Sequence, residues 1–400
     1  MITLNLKTMV LKNWIYQLVN KLLQIIFLYF LLTANLLSQQ TILARSAILI
    51  DYHSGDVLFE KEADSSIHPA SMTKIMTTIV AFDLLNNNKI ALEDKAIISE
   101  KAWRMSQSGY SSMFIMVNDE VSVENLLKGI IVASGNDACV ALAEFIAGSE
   151  ENFADIMNEK ASEIGMVDTN FANSSGINHP DNFSTVRDIA LMSKYLIKNY
   201  PEYYPIYKEK YFTWDRTGGE PIKQSNRNGL LYKKKGADGI KTGYLAVEKY
   251  SLASTIKKNT RRLIAVGSGF DSVSSRTSES IKLLEWGFRN TTTYEVSNIN
   301  KAGFNIKTWL GSSGTVIGKT KKDVFITLSK KDIRNFKAQI VYEGPIKAPI
   351  YKGEEIAKIN IYKKNELISS VPIYASEDVK KINFFKSVFT SLNYLIWGDV

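Results

Sequence analysis

The residues in this chain best spaced for chemistry are Ser71-Met72-Thr73-Lys74. Side chains three apart on a helix share a face, so the Ser71 hydroxyl and the Lys74 amine can meet. That pair supplies a nucleophile and a base. An amine takes the serine proton only when it is neutral, and burial together with a neighbouring cation, for which Lys241 is the candidate, would make it so. A helix start also places positive potential where an oxyanion would form. A second copy of the spacing, Ser254-Thr255-Ile256-Lys257, lies in a strand-like stretch. There, residues three apart point to opposite faces and cannot cooperate.

Two tripeptides complete the set. Ser134-Gly135-Asn136, between two helical stretches, offers a hydroxyl for proton relay and an amide for gripping a carbonyl. Alone it would read as a capping turn. Lys241-Thr242-Gly243, at the end of the strand-like Gly239-Ile240, offers a second cation, a hydroxyl and a residue with no side chain to block a substrate lying edge-on. The order S-x-x-K, S-x-N, K-T-G is more informative than any of its parts.

The elements that must hold these residues follow from pattern. Ala47 to Tyr52, the turn His53 to Asp56, and Val57 to Phe59 read as a hairpin, as do Tyr250 to Ile256 and Arg262 to Gly267 around Lys257-Lys258-Asn259. Helices are expected from Ser71 to about Leu85 behind Pro69, over Val123 to Val132, after Asn136, and from about Ser275 to Phe288. Strands at both ends with helices between them predict an α/β domain over 45–289. Short alternating runs then predict a small all-β domain over 292–375. Over 380–397, Ile382, Phe384, Phe385, Val388, Phe389, Leu392, Leu395 and Ile396 fall on one arc of an amphipathic helix. Such a helix either packs on its own domain or lies in a membrane interface, and its terminal position, phenylalanines and lysines favour the membrane.

The N-terminus has the order of a secretory leader: Lys7, Lys12 and Lys21 without acids, then an apolar run from Leu22 to Leu37 too short to span comfortably. A leader is assigned to 1–44, with no clean cleavage site. Composition excludes other classes. Hydrophobic residues at 45% and charged ones at 22% are globular values. The net charge of +8 is spread thinly, its longest cluster being Lys233-Lys234-Lys235, so no nucleic-acid partner is expected. One cysteine, Cys139, and the separated His53, His68 and His179 offer no metal spacing, so neither metal nor cofactor is expected.

The triple motif is that of penicillin-binding proteins and serine β-lactamases. The stretches Ala47 to Asp51, Pro69 to Lys74, Ala133 to Ala138, Asn226 to Leu231 and Asp238 to Gly243 closely resemble the D-alanyl-D-alanine carboxypeptidases, the low-molecular-mass penicillin-binding proteins. The resemblance implies a β-lactamase/transpeptidase-like first domain, an antiparallel sheet flanked by helices. It implies that Ser71 attacks the penultimate D-alanine carbonyl of a peptidoglycan stem peptide, with Lys74 as base and Ser134 as relay. Asn136 would bind the acyl side of the substrate, and the N–H groups of Ser71 and Tyr244 would form the oxyanion hole. Lys241 and Gly243 complete the third motif, and Thr242, Arg227 and Arg276 would hold the terminal carboxylate. β-Lactams would acylate Ser71, and the enzyme would work on the outer face of the cytoplasmic membrane, attached peripherally. Tyr244, where close relatives often carry histidine, and the continuation Leu245 to Glu248 depart from the pattern. An endopeptidase, a β-lactamase and a non-catalytic binder stay open as alternatives.

Overall fold

The computed structural model describes residues 21, 41–107 and 109–398. Apart from Lys21 and residues 41–44, the leader assigned to 1–44 lies outside them. Leu43 and Ala44 belong to the folded chain: the Leu43 N–H donates to Glu279 at 3.0 Å, and Lys61 Nζ donates to the Ala44 carbonyl at 2.6 Å.

Strand β1 (Ser46–Asp51) is buried along its whole length because both faces of its sheet are covered. It joins β2 (Val57–Lys61), β3 (Ala237–Leu245), β4 (Lys249–Lys258) and β5 (Arg261–Phe270) in the order β2-β1-β5-β4-β3, with every neighbouring pair antiparallel. Alternation divides the sheet residues between two cores. Ile48, Ile50, Ile264 and Val266 face the helical core. On the other face Leu49 and Leu263 press on Gly287, where a Cβ would come within 2.7 Å of both side chains.

Within the helical core, α1 (Lys74–Asn86) is buried on nearly every side, so it is a central helix and not a surface one. α2 (Asn136–Ala147) packs beside it, and α3 (Val273–Asn290) covers the outer face of the sheet. Helices Glu100–Gln107, Glu150–Ile164 and Val186–Asn199 complete the layer. The helix expected over Val123 to Val132 divides into an α segment, Val123–Lys128, and a wide π turn, Gly129–Ala133.

Beyond α3 the chain is β through Glu366–Ala375 apart from a 3-10 turn, Ile333–Asn335, as a two-stranded ribbon (Thr291–Ser297 with Val324–Ser329) and a six-stranded sheet. Its own core includes Ile306, Val316, Ile326, Ile359, Ile361 and Ile373. The Asp51 carboxylate ties the two parts, accepting from Arg261 Nε at 3.0 Å and Thr293 Oγ1 at 2.5 Å. The last helix, α4 (Phe384–Trp397), buries none of its residues, and Phe385 is 83% exposed. Its one ring contact with the β domain is Tyr394 edge-on to Trp309.

Candidate active site

Ser71 lies in a single 3-10 turn, Ala70–Thr73, that runs into α1 at Lys74. The sequence reading put both residues on one α-helix. The tighter turn serves the pair better, because side chains three apart eclipse there. Two glycines let other elements approach this turn. A Cβ on Gly176 would fall 1.8 Å from the Ala70 carbonyl oxygen, and one on Gly243 would meet Ala70 Cβ and the Pro69 carbonyl at 3.1 Å. The K-T-G strand therefore passes directly beside the nucleophile turn.

Lys74 is buried, and its Nζ lies 3.1 Å from Ser71 Oγ, 2.7 Å from Asn136 Oδ1 and 2.6 Å from the Ser175 carbonyl oxygen. The last two can only accept. A neutral lysine has two N–H bonds, which these oxygens take up, leaving its lone pair for the Ser71 hydroxyl. Burial pushes the Lys74 amine below the ordinary lysine range. The buried Cys139 thiol opposes the shift, and the Arg227 charge adds to it. Arg227 is thus a cation acting on Lys74 beside the expected Lys241, whose own amine feels the Lys74 charge.

Lys241, on β3, is also buried and donates to Ser134 Oγ at 2.8 Å. Burial, then the charge of Lys74, hold its amine well below the lysine range. Ser134 itself is left-handed, with φ of 63°, where the π turn ends and α2 begins. Asn136 is buried at the first position of α2, its side-chain oxygen turned to Lys74.

Arg227 donates to Ser111 Oγ at 2.6 Å, and Arg276 on α3 donates to the Arg227 carbonyl at 3.3 Å. Arg276 lies over the Tyr250 ring, 5.7 Å from its centre, and Tyr244 packs on the same ring. Burial pulls the Arg276 guanidinium down to about 10, with Arg227 adding to the shift. Ser71, Ser134, Asn136, Thr242, Gly243, Tyr244, Arg227 and Arg276 line one cleft of about 770 Å³. Lys74 and Lys241 are buried behind it. All ten residues singled out in the sequence thus converge.

Several site groups were not read from the sequence. The Ser175 carbonyl is a backbone group on a loop, and the neighbouring Ser174 is held by the buried Glu150 carboxylate at 2.6 Å. Asp137 accepts backbone N–H groups of Met113 at 3.0 Å and Phe114 at 2.8 Å, fixing the segment that carries Ser111. An acid opening an apolar helix beside S-x-N was the available signal. The second S-x-x-K is inert: Ser254 Oγ donates to the Ala265 carbonyl inside the sheet, and Lys257 points to solvent. Cys139 is fully buried, its thiol pushed up to about 12 by burial, and behaves as a core residue. His179 accepts the Asp181 N–H within its own loop.

A family model described as D-alanyl-D-alanine carboxypeptidase matches residues 33–271, and one described as penicillin-binding protein 5, C-terminal domain, matches 293–381. The chain is 39% identical over 322 residues to the D-alanyl-D-alanine carboxypeptidase DacC of Escherichia coli, covering 79% of each. It is similar to the crystal structure of penicillin-binding protein 5 from Haemophilus influenzae, with TM-score 0.78 and 36% identity over 86% of this chain and 99% of that one. Penicillin-binding protein D2 from Listeria monocytogenes, solved in its cefotaxime-bound form, matches 62% of this chain and 99% of its own, with TM-score 0.57 and 26% identity.

Proposed function

Because this chain belongs to the D-alanyl-D-alanine carboxypeptidase family of serine penicillin-binding enzymes, we propose that its cleft removes the terminal D-alanine from peptidoglycan stem pentapeptides through an acyl-enzyme on Ser71. The observation that carries this reading is the set of partners around Lys74 Nζ: two carbonyl acceptors and one hydroxyl. The Ser71 proton passes to the Lys74 lone pair as Oγ attacks the penultimate D-alanine carbonyl carbon. Negative charge gathers on the carbonyl oxygen, where the N–H groups of Ser71 and Tyr244 are assigned to meet it. Collapse breaks the peptide bond, and the leaving amine takes a proton relayed by Ser134 between Lys74 and Lys241. Water then cleaves the ester, the proton steps running in reverse.

Arg227, Arg276 and Thr242 are assigned to the free carboxylate of the terminal D-alanine. Asn136 is assigned two tasks, holding Lys74 through its oxygen and offering its amide N–H to the acyl side of the substrate. Penicillins, which present a carboxylate beside a strained amide, are expected to acylate Ser71, and the cefotaxime-bound relative supports this. The match of residues 293–381 to a second domain disfavours a β-lactamase. We place the enzyme on the outer face of the cytoplasmic membrane, exported by the leader and held through α4. The exposed apolar side of α4 supports this, and among the described residues no helix is long and apolar enough to cross a membrane. Incubation with a soluble pentapeptide ending in D-Ala-D-Ala tests the reading: D-alanine release is expected, and its absence in protein that a fluorescent penicillin still labels would overturn it.

A further inference from the structure

Away from the cleft, the fold draws together cations that lie far apart in the chain. A groove of about 710 Å³ where α3 meets the β domain is lined by Lys234, Lys258, Arg261 and Arg289, with Phe288 as an apolar side and Glu285 as the only acid among the described residues of its lining. Glu285 is already shared by Lys258 at 2.8 Å and Lys234 at 3.3 Å, and Arg261 is committed to Asp51 and Thr291. Arg289 is exposed and has no ion pair among the described residues. The exposed Lys235, next to Lys234 in the chain, has none either. The belt continues onto the β domain: Thr291 pairs with Ser329, and the Lys330 N–H donates to the Asn290 carbonyl at 2.9 Å, placing Lys330 and Lys331 beside it.

We propose that this junction groove is a second binding site, distinct from the cleft, for the carboxylate-bearing peptidoglycan polymer; the proposal rests on the carboxypeptidase reading above. Three properties of the site select such a ligand. Its spare charges are positive, so the ligand is anionic. They are exposed and spread out, and each is weak alone, so useful affinity needs several anionic groups on one chain. A wall polymer repeats a carboxylate-ended peptide along its length and meets that need. The site also faces away from any membrane that α4 enters. At the groove end of the β domain, Lys363 pairs with Glu366, and Lys364 bonds Asn335. The chain leaves for α4 from the other end, where Ile382 bonds Leu310 and Glu355 pairs with Tyr374. Extended strands of that length separate the two ends by about 25–30 Å. On α3, Arg276 in the cleft and Arg289 in the groove lie about 20 Å apart along the axis, a span that one polymer can bridge.

The test compares full-length Ser71→Ala protein, which cannot turn substrate over, with the same protein carrying Lys235→Glu, Arg289→Glu and Lys330→Glu. Co-sedimentation with insoluble peptidoglycan is expected to weaken about tenfold and to lose its salt sensitivity. A Gln version of the triple variant should lie between the two, and it reads the charge effect if the Glu version melts early. With Ser71 intact, the triple variant should keep the parent's kcat/KM on soluble pentapeptide while losing rate on intact peptidoglycan. Undiminished polymer binding, an equal loss on both substrates, or a loss confined to phosphatidylglycerol vesicles would each overturn the proposal. Failure of the parent enzyme to release D-alanine would instead count against the carboxypeptidase reading, since the binding comparison does not depend on turnover.

Discussion

Lys241 Nζ stands 2.8 Å from Ser134 Oγ, so the K-T-G strand and the S-x-N turn meet behind the cleft through one hydrogen bond. Ser134→Ala removes the hydroxyl that anchors Lys241 and that is assigned the proton relay. Acylation by a fluorescent penicillin is expected to slow by about 10²-fold or more, with the protein still folded. A Ser134→Ala enzyme that acylates at the parental rate would place the relay elsewhere.

Lys74 is the second test. Lys74→Arg keeps a positive charge but supplies no base, so acylation should fall by about 10²–10⁴-fold. In the parent, the rate should rise with pH as Lys74 loses its proton. Burial lowers that pKa, so the midpoint of the rise should lie below the ordinary lysine value of about 10.4. Pre-steady-state acylation across pH reads both effects. Ser71→Ala should abolish labelling and Ser254→Ala should leave it intact.

Carboxylate recognition is tested by Arg227→Ala and Thr242→Val. Each lost charge-assisted contact should weaken turnover of free-carboxylate substrates by about 1.5–3 kcal/mol, and acylation by ester-ended analogues much less. Ser111→Ala should give a smaller loss of the same kind, because Ser111 Oγ holds the Arg227 side chain at 2.6 Å. Equal losses on both substrate types would remove the role.

The junction between the domains rests on a buried charge. Asp51 is fully buried and accepts from Arg261, Thr293 and the N–H of His53. Asp51→Ala leaves the Arg261 guanidinium without its carboxylate, with Thr291 as its remaining partner, and should cost about 3–5 kcal/mol in denaturant unfolding. A loss near zero would mean that solvent already reaches the pair.

These relationships separate what the sequence carries from what only the fold supplies. The hairpins, α3 and the interior of the β domain were legible because one buried face imposes a period. Ser71, Lys74, Ser134 and Lys241 were legible because their chemistry demands those side chains. The Ser175 carbonyl was not, since any residue can present one. Glu248 was read as a departure from the family pattern after K-T-G. Its buried carboxylate in fact binds Arg45 at 2.6 Å and the His68 N–H at 3.1 Å, bracing the approach to Ser71. A contact across nearly two hundred residues leaves no local pattern. The 3-10 turn at Ser71 escaped for a related reason: Gly176 and Gly243, far along the chain, shape the ground on which it packs.

The last test concerns α4. The sequence pattern starts the helix at residue 380, but the Lys380 carbonyl accepts the Ser312 N–H at 2.7 Å and Ile382 donates to Leu310 at 3.0 Å. Removing those residues would loosen the β domain and confuse anchoring with folding. The cut belongs after Asn383, whose side chain caps the helix and makes no other hydrogen bond among the described residues. Phe384, Phe385, Phe389, Leu395 and Trp397 are all at least 67% exposed, and α4 buries nothing, so deleting 384–400 should cost the fold little. Those side chains have water as their neighbour unless a lipid interface takes them, and burying each large apolar group is worth about 1.5–3 kcal/mol. The truncated enzyme should leave the membrane fraction, keep its melting temperature within about 2 °C, and keep full activity on soluble pentapeptide. Phe385→Glu with Phe389→Glu should release it in the same way. If the truncated protein still sediments with membranes after its leader is removed, or melts early, α4 is a packing element and the anchor reading fails.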